Sequence, residues 1–382
     1  MKFKAFSATA RTSSAVAAIV LVASLAACSS SKKPQPAELP PVVAVVGVRP
    51  AWNAQLGQVN FPLDASVNGS TVTVAGGSDG TVVAIDAQTG RDIWRTALGT
   101  PLSAGVGSDG KTAAVVTKAN EVVALEAGRE VWRQKMPAQI YTAPFVAGGR
   151  VFVLSADRSV SALDGQTGRK LWTQQRPGTE PLILRQPGVL LAVGDTLLVG
   201  SSGRLLGLNP ANGSVRWEAP IATPRGTNDV ERLVDLVGRV SRQGNVVCTR
   251  AFQMAVGCVN ASRGTLLWTK PAVGFEGVHG DDTLVFGTES DGKVVAWKRA
   301  DGERVWSTDR LQYRTLTAPL ALGRSVVMGD STGLVHLLSR EDGSVLNRLT
   351  TDGSAIVAAP VVAGDTLVVV TQKGGIFGFR PE

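Results

Sequence analysis

Hydrophobic and polar residues alternate along most of the chain in short runs that are separated by turn-forming residues. Runs such as TVTVAG (71–76) and TLVVVT (366–371) are typical of strands. The Asp-Gly and Thr-Gly pairs between such runs favour hairpin turns, because glycine accepts a positive φ and aspartate hydrogen-bonds nearby backbone. The pattern predicts a succession of short antiparallel strands.

These strands recur as a unit that is marked by a glycine followed four residues later by a tryptophan. Successive tryptophans are 38 to 51 residues apart, a period typical of stacked units that cannot bury their apolar faces alone. We expect four strands per unit, a propeller blade, with the tryptophan on the outermost strand packing against the next blade. The pairs are Gly90–Trp94, Gly128–Trp132, Gly168–Trp172, Gly213–Trp217, Gly264–Trp268 and Gly302–Trp306.

The two ends of the repeat region complete each other. Trp52 stands 42 residues before the next tryptophan with no strands of its own before it, whereas the segment from Ala358 to Glu382 supplies three strands and no fourth. Asn347 takes the tryptophan position in one further unit. The sequence therefore predicts an all-β, eight-bladed β-propeller of four-stranded antiparallel blades over residues 49–382. An N-terminal strand at 50–57 would complete the last blade and leave no free sheet edge.

A targeting segment precedes the repeats. A positively charged start is followed by an apolar stretch, 13–27, that is too short to span a membrane. It ends in Leu-Ala-Ala-Cys, which resembles the lipobox of bacterial lipoproteins, so we expect a signal peptide at 1–27 and lipidation of Cys28. An ordinary secretory signal with an incidental cysteine is the alternative. Ser29 after the cysteine favours, by resemblance to enterobacterial sorting, the periplasmic face of the outer membrane.

The residues that follow the signal predict a flexible, lipid-anchored tether over 28–48, because they are rich in proline and cannot bury a core. The formal net charge of the whole chain is +8, and loss of the three signal cations reduces it to +5. No block of basic residues with interleaved aromatics occurs. Nucleic acid is therefore not an expected partner, and the membrane is expected to be contacted only through the anchor.

Cys248 and Cys258 lie on the second and third strands of one predicted blade. Overlaid on the first repeat they take the places of Val74 and Ala84, which flank a turn and should face each other. Directly opposed cross-strand residues approach within the distance of a disulfide bond. Disulfides persist in oxidising compartments, so a bridge between these two cysteines is consistent with a periplasmic location. Two buried thiols are the alternative.

Patterns for catalysis or metal binding are nearly absent. Gly329 to Gly333 matches Gly-x-Ser-x-Gly around Ser331, with His336 nearby, but that pattern indicates a nucleophile only between a strand and a helix. Here it overlays a hairpin turn, and turn chemistry explains both glycines. We place His279 in a loop without a second ligand. The sequence predicts no catalytic residue, no metal site and no enzyme activity.

The element Ala-x-Asp-x-x-x-Gly-x-x-x-Trp, at 84–94, resembles the repeat of pyrroloquinoline quinone dehydrogenases. Those enzymes also need a calcium site, a catalytic aspartate and a pair of adjacent cysteines; this chain lacks adjacent cysteines and is much shorter. With a lipobox and eight repeats it resembles the BamB family of outer-membrane protein assembly factors.

That resemblance implies a non-catalytic lipoprotein of the β-barrel assembly machinery, without a cofactor. It would dock on the POTRA domains of the central barrel subunit and help nascent outer-membrane proteins reach the insertion site. A periplasmic quinone-dependent dehydrogenase and a propeller that binds cell wall or sugar are the alternatives.

Two successive tryptophan intervals, of 45 and 51 residues, exceed the others, so their extra residues must form loops. In the first, Leu182, Leu184 and Arg185 are similar to the Leu-x-Leu-Arg loop by which the family contacts the barrel subunit. In the second, Asp235 matches the first of the family's two acidic positions and Val237 replaces the second. The resemblance implies partner binding by these loops; the alternative is that they only cover neighbouring blades.

Overall fold

Eight four-stranded antiparallel sheets form the described part of the protein, and they are the blades of a β-propeller. A computed structural model describes residues 34–175, 183–224 and 233–382, and it contains strands but no helix in those ranges. The predicted all-β, eight-bladed architecture is confirmed.

The first strand along the chain, β1 (Val48–Gln55), belongs to the last blade. The chain then builds the first four blades in order. Blade 1 consists of β2 (Ser66–Asn68), β3 (Thr71–Gly76), β4 (Thr81–Asp86) and β5 (Asp92–Ala97). Blade 2 consists of β6 (Gly107–Ser108), β7 (Thr112–Val116), β8 (Glu121–Glu126) and β9 (Arg129–Lys135). Blade 3 consists of β10 (Phe145–Ala147), β11 (Arg150–Leu154), β12 (Val160–Asp164) and β13 (Lys170–Gln174). Blade 4 consists of β14 (Leu190–Val193), β15 (Thr196–Ser201), β16 (Arg204–Leu208) and β17 (Val215–Pro220).

The second half of the ring repeats this arrangement. Blade 5 consists of β18 (Leu236–Gln243), β19 (Val246–Ala251), β20 (Ala255–Asn260) and β21 (Thr265–Pro271). Blade 6 consists of β22 (Val278–Gly280), β23 (Leu284–Thr288), β24 (Val294–Lys298) and β25 (Arg304–Thr308). Blade 7 consists of β26 (Leu320–Leu322), β27 (Ser325–Gly329), β28 (Leu334–Ser339) and β29 (Val345–Thr350). Blade 8 consists of β30 (Val361–Ala363), β31 (Thr366–Val370), β32 (Gly375–Pro381) and β1.

The first strand of a blade lies at the central channel, and the fourth lies on the circumference. The middle two strands are buried almost throughout, whereas the outer strands alternate between covered and exposed residues. One face of the ring carries the connections between blades and the turns between second and third strands. We call this the loop face, and the described residues of both candidate partner loops belong to it.

Ring closure occurs as the sequence predicts. Strand β1 pairs antiparallel with β32, from Val48 opposite Pro381 to Gln55 opposite Gly375. It lies two residues earlier than the expected strand at 50–57. The N-terminal strand thus supplies the outermost strand of blade 8, which the C-terminal segment leaves open.

The glycine of each repeat receives the tryptophan of the preceding blade. Gly90 has a positive φ of 72°, and a Cβ atom there would lie 2.6 Å from Cγ of Trp52, so only glycine allows this packing. The Trp52 Nε1 also donates a hydrogen bond of 2.7 Å to the carbonyl of Ala87. The contacting pairs are Trp52–Gly90, Trp94–Gly128, Trp132–Gly168, Trp172–Gly213, Trp217–Gly264, Trp268–Gly302 and Trp306–Gly343.

The predicted tether over 28–48 differs from the structure in its later part, because residues 37–47 lie against blade 7. Arginine side chains donate hydrogen bonds to the carbonyls of this segment: Arg314 to Ala37 at 3.2 Å and Arg348 to Pro40 at 3.2 Å. The Asn347 amide donates to the Val46 carbonyl at 2.8 Å. Backbone groups, which composition does not reveal, therefore hold a proline-rich segment in place.

Candidate partner-binding site

Asp235 joins the two long loops that the sequence singles out. One carboxylate oxygen accepts a 2.7 Å ion pair from Arg158, which lies in the turn between β11 and β12. The other accepts the backbone N–H of Leu184 at 3.0 Å. Both side chains of the ion pair are nearly buried, 13% and 12% exposed, so the pair is little screened by water. Asp235 therefore fixes the position of the loop that carries Leu184.

Backbone contacts extend this connection. The Gly188 N–H donates to the hydroxyl of Thr142 at 2.9 Å, and the Gly238 N–H donates to the carbonyl of Pro187 at 2.8 Å. Gly188 and Val237 also form an isolated antiparallel bridge. Residues of blades 3, 4 and 5 are thereby tied into one surface on the loop face.

Arg185 is the exposed group of this surface. Its guanidinium carbon lies 5.3 Å from the ring centroid of Tyr141, a cation–π arrangement that presents the charge on a rigid support. Leu184 beside it is half-buried. An apolar side chain next to a held guanidinium is a suitable anchor for a protein partner.

The structure brings Leu184, Arg185 and Asp235 together, whereas Leu182 and Cys28 lie outside the described residues. Asp235 is buried and engaged within the chain, so it orients the loop instead of facing a partner. Val237 is 2% exposed, and an aspartate there would bury a second carboxylate. Sequence reasoning missed Tyr141, in the connection before blade 3, and Arg158, in a turn of blade 3, because no local pattern marks them.

The central channel holds a second group of polar side chains. Burial lowers the pKa of Arg239 to about 10, although the nearby negative charge of Asp64 acts to raise it. Burial, with the nearby Asp64 charge, raises the pKa of Glu276 to about 7. His279 lies in β22 and not in a loop as expected; burial and the charges of Arg239 and Arg299 lower its pKa to about 3. Its Nδ1 accepts the N–H of Ala321 at 3.0 Å, as a neutral ring can.

The chain is similar to proteins of one family along nearly its whole length. The family described as "Outer membrane protein assembly factor BamB" matches residues 78–308. A relative of that name from Burkholderia pseudomallei (strain K96243) is 41% identical over 374 residues, which cover 96% of this chain and 97% of the relative. The chain belongs to the BamB family.

Solved structures agree on the fold. BamB from Moraxella catarrhalis superposes with a TM-score of 0.79 at 21% identity and covers 87% of this chain and 99% of its own. A quinohemoprotein alcohol dehydrogenase from Comamonas testosteroni superposes with a TM-score of 0.68 at 15% identity over 89% of this chain and 78% of that one. At such identities the likeness concerns the propeller alone, so the dehydrogenase alternative has only shared architecture in its favour.

The Gly-x-Ser-x-Gly match of this BamB-family chain is a hairpin turn between β27 and β28. His336 is buried and bonds through Nε2 to Asp330 at 2.9 Å, while Ser331 is exposed. Burial alone would raise the pKa of Asp330, but hydrogen bonds from His336, Thr332 and Leu334 lower it well below its usual range. The histidine thus packs against a turn aspartate and does not activate the serine.

Cys248 and Cys258 face each other in the BamB-family blade 5, and a disulfide joins them between β19 and β20. The overlay on the first repeat is wrong by one residue, because Ala84 there faces Thr73 and not Val74. The turn of blade 5 is one residue shorter, which restores the direct opposition. Both cysteines are fully buried.

The described ranges of this BamB-family chain contain neither a membrane-spanning helix nor a cluster of metal ligands. No helix in those ranges is long and apolar enough to cross a membrane. Among the same residues, no three His, Cys, Asp or Glu side chains group in a way that could hold a metal ion.

Proposed function

We propose that the protein is a non-catalytic scaffold lipoprotein of the outer-membrane β-barrel assembly machinery. Its relatives are named outer membrane protein assembly factor BamB, which supports a role in assembly and not in catalysis. The observation that carries the docking part of the proposal is the buried Asp235, which binds Arg158 and the backbone of Leu184 at once. A loop held in this way is pre-organised, so little conformational entropy is lost when a partner binds.

The partner of this surface is the POTRA region of the central barrel subunit, and the ring assists delivery and insertion of nascent outer-membrane proteins. Leu182 and Leu184 supply apolar contact, Arg185 supplies a directed charge and Asp235 orients the loop. A guanidinium can form two parallel hydrogen bonds to a carboxylate, which makes Arg185 a candidate hot spot.

The proposal includes the attachment of the ring to the membrane. Residues 1–27 act as a lipoprotein signal peptide, Cys28 carries the lipid, and the segment that begins at 28 links the anchor to the propeller. The lipid is a diacylglycerol, and it holds the protein at the periplasmic face of the outer membrane. Two acyl chains give stable attachment, whereas a single chain binds a membrane only weakly.

Arg185→Ala tests the docking surface in the intact, lipidated protein. We expect recovery of the barrel subunit in co-purification from cells to fall roughly tenfold or more, since loss of a hot-spot side chain costs about 2 kcal/mol. Tyr141→Leu removes the ring beneath the guanidinium and should give a smaller loss in the same direction, because a cation–π contact contributes about 0.5–1 kcal/mol.

Arg310→Ala is the matched control, because Arg310 is an exposed arginine on the loop-face connection between blades 6 and 7. It should leave recovery unchanged. Undiminished recovery with Arg185→Ala and with the Leu184→Ala, Arg185→Ala double variant would refute docking through this surface.

A further inference from the structure

The junction between blades 7 and 8 differs from the other seven junctions of the ring. At those seven, an indole of one blade packs on a glycine of the next, and a Cβ atom on that glycine would meet the indole, as at Gly90. Between blades 7 and 8, Asn347 stands in place of the tryptophan, and Val48, four residues before Trp52, stands in place of the glycine. The two exchanges belong together, because a side chain at the glycine position leaves no room for an indole.

Residues 37–47, which we call the strap, supply contacts at this junction instead. The Asn347 amide donates to the Val46 carbonyl at 2.8 Å, and the Val45 N–H donates to the Leu346 carbonyl at 2.8 Å. The Val46 side chain packs against the core cluster that blades 7 and 8 share. The strap thus provides here what an indole provides elsewhere in the ring, which is a carbonyl acceptor–donor contact combined with apolar packing.

The other end of the strap lies at the loop face. The Ala37 N–H donates to the Gln312 carbonyl at 2.9 Å, and Arg314 donates to the Ala37 carbonyl at 3.2 Å. The Leu39 side chain packs against the core cluster between blades 6 and 7. The strap therefore runs across blade 7, and its last residue continues directly into β1 of blade 8. One stretch of chain thus holds two neighbouring blades together.

The strap is held mainly through its backbone and is open to water along its outer side. Val43 is 87% exposed and Val45 is 58% exposed. Segments with few buried contacts open at a lower free energy than the core of a fold. We propose that the strap is a detachable closure of the ring. When it lifts off blade 7, the junction of blades 7 and 8 loses its substitute for an indole and opens before any other junction.

Hydrogen–deuterium exchange with mass spectrometry tests the strap in the purified protein and in a variant that lacks residues 37–46. We expect the amides of β29 and β32, on either side of the junction, to exchange roughly tenfold faster or more in the variant, because several hydrogen bonds are lost. The amides of β12 in blade 3 should not change. Deletion of residues 29–36, which precede the strap, is the matched control and should leave exchange in all three strands as it was.

Arg324→Ala keeps the chain intact, so it tests the strap even if the deletion prevents folding. The Arg324 guanidinium donates to the Val45 carbonyl at 2.8 Å. Its loss should accelerate exchange in β29 and β32 by roughly twofold to tenfold, the effect of one hydrogen bond. Arg263→Ala, at an exposed arginine in a turn of blade 5, should have no effect.

Unchanged exchange in β29 and β32 in both strap variants, or acceleration spread evenly over all blades, would overturn the proposal. The inference goes beyond the docking role and does not depend on lipidation of Cys28. Because the docking surface is formed by blades 3 to 5, recovery of the barrel subunit should be the same for Arg324→Ala as for the unchanged protein. A loss of recovery in that variant would contradict the local action of the strap.

Discussion

Each tryptophan of the ladder lies opposite a small residue on the neighbouring strand of its own blade. Ala84 faces Trp94, and Gly207 faces Trp217. In blade 7 Asn347 replaces the tryptophan, and the residue opposite it is Leu337. The exchange conserves volume across the pair, because a large residue needs a small neighbour in a close-packed interior. The Asn347 amide still donates to a carbonyl at the next blade, that of Val46, as the indoles do.

Trp132→Ala should destabilise the ring strongly. The indole is 8% exposed, packs on Gly168 and donates to the Gly165 carbonyl at 2.8 Å. We expect a loss of about 3–5 kcal/mol in the free energy of unfolding, measured by urea denaturation, since truncation leaves a cavity and an unpaired carbonyl. Val131→Ala, at an exposed neighbour on the same strand, should change it by less than about 0.5 kcal/mol. Similar midpoints for the two variants would contradict the packing role.

Elements that bury apolar faces could be predicted from the sequence, because the repeat spacing counts the blades and the strand alternation locates their faces. The closing strand could also be predicted from the repeat, because Trp52 has no strands before it to form a blade and the C-terminal blade lacks a fourth strand. The contacts of residues 37–47 were not, since arginines distant in sequence bind backbone carbonyls there. The contacts of the candidate partner surface could not be predicted from the sequence either. Tyr141 and Arg158 contact Arg185 and Asp235 only because three blades meet at one point.

The hairpin of β19 and β20 provides a test at the scale of an element. The double variant Cys248→Ala, Cys258→Ala should lower the free energy of unfolding by about 2–3 kcal/mol, because the bridge restricts the unfolded chain over a short loop. Reductant should lower the urea midpoint of the unchanged protein and leave that of the double variant where it was. Two free thiols in non-reducing peptide mapping, or no effect of reductant, would exclude the bridge.

The closed ring gathers charged residues that lie far apart in the chain. Asp64 precedes blade 1, Arg239 lies in blade 5 and Glu276 precedes blade 6, yet all three line one cavity of the central channel. In an isolated blade such a charged side chain would be exposed to water, whereas the closed ring surrounds it with protein. Desolvation of an unpaired carboxylate is therefore a consequence of closure, and the folded state bears its cost whenever the group is ionised.

Glu276→Gln should consequently make the protein more stable at pH 8, and much less so at pH 5. The pKa of Glu276 rises from 4.5 to about 7 on folding, so the folded state holds its proton more tightly and loses stability as the pH rises from 4.5 to 7. Glutamine is neutral throughout and keeps an oxygen for the Ala318 N–H. We expect a gain of roughly 1–3 kcal/mol at pH 8 in urea denaturation, and about a quarter of that gain at pH 5, which lies just above the unfolded pKa of 4.5. The exposed Glu341→Gln should show no pH-dependent difference from the unchanged protein. Parallel stability curves for Glu276→Gln and the unchanged protein across pH 5–8 would show that closure of the ring does not desolvate this carboxyl.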